Sequence, residues 1–335
     1  MFDESLLYQI GIIIIIKDSA SPVMWKMRYI STEIFYRKGN AMIHEKISIK
    51  MKGSEEYAAL YTYIQDYSVN LGVEKRPMVI ICPGGGYDHT SDREAEPLAL
   101  TFCAIGLNAA VLRYSVGPSE FPIALSELAY AVSLVRKNAD AWHIDKDRIL
   151  VQGSSAGGHL AACLGCFWNK SFLSKLISEN TGEEISAEDI KPNGMILNYP
   201  VISSGTFGHT RSRDKIAGSL KTADAFSDVK GIPIEEFLSL EKQVSESVPP
   251  CFIWATFEDR TVPVENSLLM ASALRKAGVS TELHIYAHGC HGLGLGTCLT
   301  AGNLGKEIYP EVNTWVNLVK NWLEGNFPIT LKYNI

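Results

Sequence analysis

Ser155 lies at the centre of the segment Gly153–Gly157 (GSSAG), which fits the pattern G-x-S-x-G. The apolar run Ile149–Val151 precedes this segment, and small, helix-compatible residues follow it. This order predicts a strand, a sharp turn and a helix, with a nucleophilic serine at the turn. The flanking glycines tolerate the crowding of such a turn, and the start of the helix directs free N–H groups at charge that develops beside Ser155. The alternative is a Gly- and Ser-rich turn without chemistry.

A nucleophilic serine needs a general base and an acid that orients this base. When the serine lies between a strand and a helix in this way, the chain order is serine, acid, histidine. Asp259 follows the predicted strand Cys251–Thr256 and lies in the loop before the next helix, where backbone groups can hold a carboxylate. Glu258 is the alternative for the acid.

Two histidines, His288 and His291, follow the predicted strand Glu282–Tyr286. Glycines near His291 leave its backbone free to bend, and the apolar residues after it indicate a segment anchored on the core. A general base must be held within hydrogen-bond reach of the serine. These features favour His291 as the base. His288 follows the end of the strand closely and is predicted at the rim of the site, where it could touch substrate.

The reaction also needs N–H donors for the oxyanion. The N–H of Ala156 and glycine N–H groups of the loop Gly84–Gly86 are the candidates, because three glycines let the backbone approach a reacting carbonyl. The aromatic residues predicted near the site, Tyr87, Tyr199 and Phe207, would close a small pocket, and Tyr87 and Tyr199 are candidates for contact with substrate. No long apolar stretch in residues 203–248 is available to line a groove for a lipid chain.

Apolar runs and amphipathic segments alternate from residue 41 onwards. Continuous apolar runs indicate buried strands, and alternating patterns indicate strands with one face on a core. The predicted buried strands are Pro77–Cys82, Asn108–Leu112, Met195–Tyr199, Cys251–Thr256 and Glu282–Tyr286, the predicted antiparallel strands are His44–Lys50 and Tyr57–Ile64, and the predicted helices are Glu96–Ile105, Ile123–Ala139, Val264–Ala277 and Val312–Leu323. This alternation predicts an α/β fold with a mostly parallel central sheet flanked by helices.

Two segments fall outside this alternation. Residues 203–248 are polar, carry only short helical patterns and lie between two core strands. We expect an insertion over the carboxyl ends of the strands, where ligands bind in open α/β sheets. Such an insertion would be a lid or small cap, and the alternative is a solvated excursion without substrate contact. Residues 1–40 are predicted as an N-terminal extension ahead of a domain at 41–335.

The extension contains the apolar run Leu6–Ile16, which is too short to span a bilayer. Its length would suit the core of a signal peptide, with small residues at 19–21 behind it. However, Asp3 and Glu4 precede the run and no Lys or Arg does, which is the wrong charge for a signal peptide. An extra β-strand and a poorly ordered extension are the other interpretations.

The overall composition limits the classes of partner. The chain has 31 Lys and Arg against 37 Asp and Glu, a net charge of −6, and no basic cluster that would bind nucleic acid. Seven cysteines without regular spacing argue for a reducing compartment, so we expect a cytoplasmic protein, with secretion as the alternative. Cys163 and Cys166 form a C-x-x-C on the predicted helix after Ser155, where we expect buried free thiols. No metal, organic cofactor or membrane partner is predicted, and a homo-oligomer is left open.

Six motifs together carry a resemblance to a known family. They are Pro83–Tyr87 (PGGGY), Ser91–Pro97 (SDREAEP), Leu112–Ser115 (LRYS), Gly153–His159 (GSSAGGH), Asn198–Pro200 (NYP) and His291–Leu293 (HGL). Residues 77–294 resemble α/β-hydrolases of the small-molecule esterase branch that includes hormone-sensitive-lipase-like esterases. Within that branch they are similar to bacterial acetyl esterases and acetylxylan-esterase-like proteins. Pro83 stands where the family's H-G-G-G motif has its histidine, which removes a side chain that braces the glycine loop.

The resemblance implies an α/β-hydrolase fold and a serine carboxylesterase that removes short acyl groups, acetyl above all, from a small alcohol or a carbohydrate. The residues that it implies are the triad Ser155, Asp259 and His291 and the oxyanion donors Gly85, Gly86 and Ala156. An amidase or peptidase on the same fold is one alternative. A hydrolase-fold binding protein that has lost its chemistry is the other, and the presence of nucleophile, acid, base and oxyanion glycines speaks against it.

Overall fold

The computed structural model of the protein describes residues 10–17, 25–32, 42–68, 70–302, 305 and 307–332. The chain divides into two units, Met1–Ala41 and Met42–Ile335. In the first unit, strands β1 (Ile10–Lys17) and β2 (Trp25–Thr32) form a two-stranded antiparallel sheet. β-Branched residues favour such extended pairing, and β1 is rich in isoleucine. Residues 6–9 of the predicted apolar run and the small residues 19–21 lie outside the described residues.

The second unit is built on one sheet, whose described strands number nine. They are β3 (Lys46–Ser48), β4 (Ala59–Tyr63), β5 (Val73–Cys82), β6 (Asn108–Arg113), β7 (Ile144–Ser154), β8 (Gly194–Asn198), β9 (Cys251–Thr256), β10 (Thr281–Tyr286) and β11 (Thr330–Leu331). The spatial order is β10-β9-β8-β7-β5-β6-β4-β3, and β11 pairs with the first part of β5. Strands β5 to β10 are parallel, whereas β3, β4 and β11 run antiparallel to their neighbours.

The central strands are buried on both faces, as their continuous apolar runs predict. Every residue of β8 and β9 is buried. The strand β10 differs from this prediction, because all six of its residues are only partly buried. It is the terminal strand of the sheet order and pairs with β9 alone among the described strands, so one side of it lacks the cover that the inner strands receive.

Helices cover the sheet on both faces. They are α1 (Glu96–Ala104), α2 (Ile123–Lys137), α3 (Ala156–Phe167), α4 (Ser171–Thr181), α5 (Ala187–Ile190), α6 (Thr210–Ala217), α7 (Ile234–Phe237), α8 (Glu265–Lys276) and α9 (Trp315–Asn326), with 3₁₀ turns at Asp92–Glu94, Leu240–Lys242 and Val312–Thr314. Buried residues of α2, α3, α4 and α8 form one apolar cluster with the sheet, and those of α1 and α9 form a second. Successive residues of β5, such as Ile80 and Ile81, belong to different clusters, because successive side chains of a strand point to opposite faces of the sheet.

The segment 203–248 lies between β8 and β9 and contains α6 and α7. Its apolar residues pack on the body of the second unit: Phe237 stacks on Phe167 of α3 at a ring-centroid distance of 4.8 Å, and Phe226 lies edge-on to Phe121 at 4.9 Å. The insertion is therefore anchored on the core instead of extending into solvent.

Cys163 and Cys166 are buried free thiols on α3, as expected from the sequence, and burial raises the pKa of both. Within the described ranges, no helix is both long and apolar enough to cross a membrane.

Candidate active site

Ser155 occupies the turn between β7 and α3 with a left-handed backbone, at φ 54° and ψ −118°. The turn leaves no room for side chains at the glycines beside it. A Cβ atom on Gly153 would lie 2.0 Å from the carbonyl oxygen of Gly157, and one on Gly157 would lie 2.0 Å from that of Cys82. Serine is held in a conformation that L-residues rarely adopt because the strand and the helix on either side fix its position.

Ser155, His291 and Asp259 form a continuous chain of hydrogen bonds. The Oγ of Ser155 lies 2.8 Å from Nε2 of His291, and Nδ1 of His291 lies 2.6 Å from Oδ2 of Asp259. The other carboxylate oxygen of Asp259 accepts the N–H groups of Thr261 and Val262, both at 2.9 Å. Because an ionised carboxylate can only accept, Nδ1–H donates to Asp259, and Nε2 is left to accept the hydroxyl proton of Ser155.

The alternative acid and the second histidine pair with each other away from this chain. Nδ1 of His288 lies 3.1 Å from Oε1 of Glu258, and both side chains are more than half exposed. The hydrogen bond from His288 lowers the pKa of Glu258. Of the two acids that the sequence left open, the structure therefore brings Asp259 and not Glu258 to His291.

Three backbone N–H groups next to Ser155 have no acceptor within the described part of the chain: those of Gly85, Gly86 and Ala156. Ala156 begins α3, so its N–H has no intrahelical partner. Gly85 and Gly86 adopt φ values of 127° and 66°. Positive φ angles of this kind favour glycine. Because glycine has no Cβ atom, the loop backbone beside Ser155 stays open to a bound group.

The neighbouring Gly84 N–H is not free, because it donates to Oε2 of Glu94 at 2.9 Å. Glu94 is 3% exposed. On the other side of the loop, the Tyr114 hydroxyl donates to the carbonyl oxygen of Pro83 at 2.7 Å. Together, Glu94 and Tyr114 brace the glycine loop in place of the missing histidine. Sequence reasoning quoted the two motifs that contain these residues but assigned neither a role.

Tyr87, Tyr199 and His288, the three residues expected to touch substrate, are not among the residues that line the cavity beside Ser155. The Tyr199 hydroxyl donates to Glu94 at 2.6 Å, and its ring lies edge-on to the imidazole of His291 at 5.1 Å. The Tyr87 hydroxyl lies 3.0 Å from Nδ1 of His159. Both tyrosines are 2% exposed, and the polar ends of both rings are used inside the protein. Tyr199 is therefore a packing partner of His291.

A cavity of about 280 Å³ opens beside the serine, and we call it the Ser155 cavity. It is lined by Gly85, Gly86, Asp88, His89, Ser91, Arg93, Glu94, Ser155, His209, Arg211, Thr261, His291 and Gly292. Most of these residues are polar. Two of them, His209 and Arg211, come from the segment 203–248, so the insertion does reach the cavity.

His209 is a residue that sequence reasoning missed. Its Nδ1 accepts from the hydroxyl of Ser212 at 2.7 Å and from the Ser212 N–H at 3.3 Å, which leaves the proton of the ring on Nε2. Burial lowers the pKa of His209, and the nearby charge of His291 lowers it further. A neutral ring with one N–H donor therefore faces the cavity. Within the described ranges, no group of three or more His, Cys, Asp or Glu side chains is arranged to hold a metal ion.

Comparison with known families identifies the group to which this fold and site belong. The family described as BD-FAE matches residues 67–274. The chain belongs to the BD-FAE family. The crystal structure of an acetyl ester-xyloside bifunctional hydrolase from Caldicellulosiruptor lactoaceticus superposes on this BD-FAE chain with a TM-score of 0.70 and 34% identity, over 88% of this chain and 100% of that one.

Two curated relatives of this BD-FAE chain are longer proteins. Endo-1,4-beta-xylanase B of Butyrivibrio fibrisolvens is 33% identical over 252 residues, 73% of this chain and 37% of that protein. The acetylxylan esterase of Xylanibacter ruminicola is 28% identical over 244 residues, 72% of this chain and 45% of that protein. The chain thus spans less than half the length of either. The α/β-hydrolase fold predicted from the motifs is confirmed, and the relatives of known structure and sequence include proteins named as ester hydrolases.

Proposed function

We propose that this protein is a serine carboxylesterase that hydrolyses short acyl esters, acetyl above all, of carbohydrate alcohols. One observation carries the proposal: the hydrogen-bonded chain Asp259–His291–Ser155 ends at a small cavity, next to three N–H groups that have no acceptor in the described chain. This arrangement provides a nucleophile, a base, an orienting acid and oxyanion donors within reach of one bound ester.

In the first half of the reaction, the Oγ of Ser155 attacks the ester carbonyl and its proton moves to Nε2 of His291. Asp259 holds the imidazole in the tautomer that can accept this proton and stabilises the imidazolium that forms. The carbonyl oxygen gains negative charge as the tetrahedral intermediate forms. The N–H groups of Gly85, Gly86 and Ala156 stabilise that charge, with the positive end of α3 behind them.

Collapse of the intermediate breaks the bond to the leaving oxygen, and His291 returns its proton to the departing alcohol. Ser155 is left as an acyl-enzyme. Water then gives a proton to Nε2 of His291 and attacks the acyl carbon, and the same N–H groups hold the second oxyanion. Collapse of this second intermediate breaks the bond to Oγ of Ser155, and Nε2 of His291 returns its proton to that oxygen. The carboxylic acid leaves and the free enzyme is restored.

The size and lining of the Ser155 cavity support a short acyl group and a polar alcohol. Ligand sites for drug-sized molecules range from about 300 to 1,000 Å³, and this cavity is about 280 Å³. Ten of the thirteen residues that line it have polar side chains, which can supply hydrogen-bond partners to an alcohol with several hydroxyl groups. The relatives named as an acetylxylan esterase and as an acetyl ester-xyloside hydrolase support an acetylated sugar as the substrate class.

A labelling experiment tests the nucleophile. We expect a fluorophosphonate probe to modify the wild-type protein at one residue, Ser155, and to leave Ser155→Ala unmodified. Ser154→Ala is the matched control and should be labelled normally, because the Ser154 side chain is buried beside the turn and accepts from Gln152. If Ser155→Ala were labelled and Ser154→Ala were not, the nucleophile would be Ser154 and the assignment to Ser155 would be wrong.

A substrate panel tests the reaction class. We expect acetate release from 4-nitrophenyl acetate and acetylated xylose, and no release of 4-nitroaniline from the corresponding anilide. Faster hydrolysis of the anilide than of the ester would make the protein an amidase on the same fold.

A further inference from the structure

A second, wider depression borders the Ser155 cavity. It has a volume of about 480 Å³ and is lined by Glu55, Tyr57, Asp88, His89, Thr90, Asp92, Arg113, Val116, Gly117 and Pro118. We call it the Tyr57 groove. Asp88 and His89 line both spaces, so the groove and the cavity adjoin along these two residues. No step proposed above for the ester uses the groove.

Tyr57 offers a fixed aromatic surface in this groove. Tyr57 is 42% exposed, yet its hydroxyl oxygen accepts a hydrogen bond from the N–H of Val116 at 3.2 Å. The hydrogen bond restrains one end of the ring while much of its surface remains open. An exposed tyrosine held in this way can bind a flat apolar surface at a low cost in conformational entropy.

The charges around the ring are already balanced by the protein. Asp92 pairs with Arg113 at 2.7 Å, and Asp88 pairs with Lys215 at 3.0 Å and also with Arg211. These carboxylates retain lone pairs for hydroxyl donors but have no need of a bound cation. Glu55 also lines the groove, so three carboxylates stand against three cations. Neither sign of charge dominates, and the groove therefore does not select a charged ligand.

A neutral sugar ring has the two properties that this surface would recognise. One face of a pyranose presents C–H groups that pack on an aromatic ring, and its edge presents hydroxyl groups that donate to carboxylates. We propose that the Tyr57 groove is a saccharide subsite, in which a second sugar unit of an oligosaccharide ester stacks on Tyr57 while the acylated unit occupies the Ser155 cavity. This inference rests on the proposed function and narrows the alcohol from a single sugar to an oligosaccharide.

The test compares three substrates in wild-type and variant proteins: 4-nitrophenyl acetate, acetylated xylose and acetylated xylobiose. We expect the wild-type protein to prefer the acetylated disaccharide over the monosaccharide. Tyr57→Ala should lose about tenfold in kcat/KM for acetylated xylobiose. The same variant should keep its kcat/KM for 4-nitrophenyl acetate within about twofold, because that ester does not reach the groove.

Two further variants separate stacking from folding. Tyr57→Phe keeps the ring and should retain most of the disaccharide preference. Tyr130→Ala removes a partly buried tyrosine of α2 that lines neither space, and should leave all three substrates unaffected. An unchanged disaccharide preference in Tyr57→Ala, or an equal loss on all three substrates, would overturn the subsite.

A binding measurement keeps the subsite separate from the esterase reaction. Isothermal titration with unacetylated xylotriose needs no turnover. We expect Tyr57→Ala to weaken this binding about tenfold. An absence of turnover of every ester in the wild-type protein would refute the esterase alone, whereas equal xylotriose affinity in both proteins would refute the subsite alone.

Discussion

Glu94 and Gly84 are joined by a buried hydrogen bond, in which the N–H of Gly84 donates to Oε2 of the carboxylate at 2.9 Å. The other oxygen of Glu94 accepts from Tyr199, whose ring lies against His291. One buried carboxylate therefore connects the loop that carries the proposed oxyanion donors to the packing of the proposed base. Its removal would loosen both.

We expect Glu94→Gln to lower kcat for 4-nitrophenyl acetate by about tenfold to a hundredfold, less than the loss of an oxyanion donor itself. Gly84 and Tyr199 donate to different oxygens of Glu94. An amide replaces one of these oxygens by an NH₂ donor, so one of the two hydrogen bonds is lost. KM should change little, because oxyanion contacts act mainly on the transition state. Glu96→Gln is the control, since Glu96 is exposed and hydrogen-bonds to Tyr63. An equal kcat in both variants would exclude the bracing role.

The two histidines after β10 should differ sharply in steady-state kinetics. His291→Ala should lower kcat by about three orders of magnitude or more, as removal of a triad member does. His288→Ala should stay within about twofold, because its exposed pair with Glu258 contributes little to stability. Comparable losses in the two variants would refute the assignment of His291 as the base.

Turnover should fall with acyl length. The Ser155 cavity has a volume of only about 280 Å³, so we expect methylenes beyond butyrate to find little enclosed surface to contact. A methylene in a matching pocket is worth about 1 to 3 kcal/mol. We therefore expect kcat/KM for 4-nitrophenyl esters to drop steeply after butyrate. Faster hydrolysis of the decanoate than of the acetate would indicate a long acyl groove.

His159 should make the fold sensitive to acid. Burial lowers its pKa from 6.5 to about 4. Its Nε2–H donates to the carbonyl oxygen of Leu238 in the insertion at 3.0 Å, and Nδ1 accepts from the hydroxyl of Tyr87. Since the unfolded chain binds a proton near pH 6.5 and the folded chain does so near pH 4, stability falls as the pH falls through this window.

The loss between about pH 7 and pH 4.5 should amount to about 2 to 3 kcal/mol from this residue. Thermal unfolding at both pH values measures it. His159→Gln cannot take up a proton and should lose correspondingly less stability on acidification, although it starts from a lower Tm. The same pH dependence in wild type and variant would mean that other groups cause the acid sensitivity.

The sequence predicted the sheet better than its surroundings. Runs such as Pro77–Cys82 are short and apolar throughout, a pattern typical of a strand covered on both faces. The inner strands and helices α1, α2, α8 and α9 were accordingly located within a few residues. Helices α4 and α5 were not predicted, and β10 was predicted as buried. Strand order is not contained in a local pattern, so the sequence could not identify β10 as the terminal strand.

In the site, too, features set by local sequence were predicted and features set by long-range contacts were not. The serine turn and the loops after β9 and β10 follow from local patterns, and the structure places Ser155, Asp259 and His291 together. The roles of Glu94 and His209 depend on contacts between residues far apart in the chain. A buried glutamate and a helix-capping histidine have no distinctive local pattern, so long-range packing alone identifies them.

The half-buried strand β10 implies an order of events in denaturation. The loop that carries His291 follows this strand, whereas Ser155 follows β7 in the middle of the sheet. Terminal strands open at a lower free energy than central ones, and amide exchange detects such partial opening. Catalysis should therefore disappear at urea concentrations that leave β5, β7 and β8 protected against exchange. Reporter side chains in the sheet centre would register a folded protein while the nucleophile had already been separated from its base.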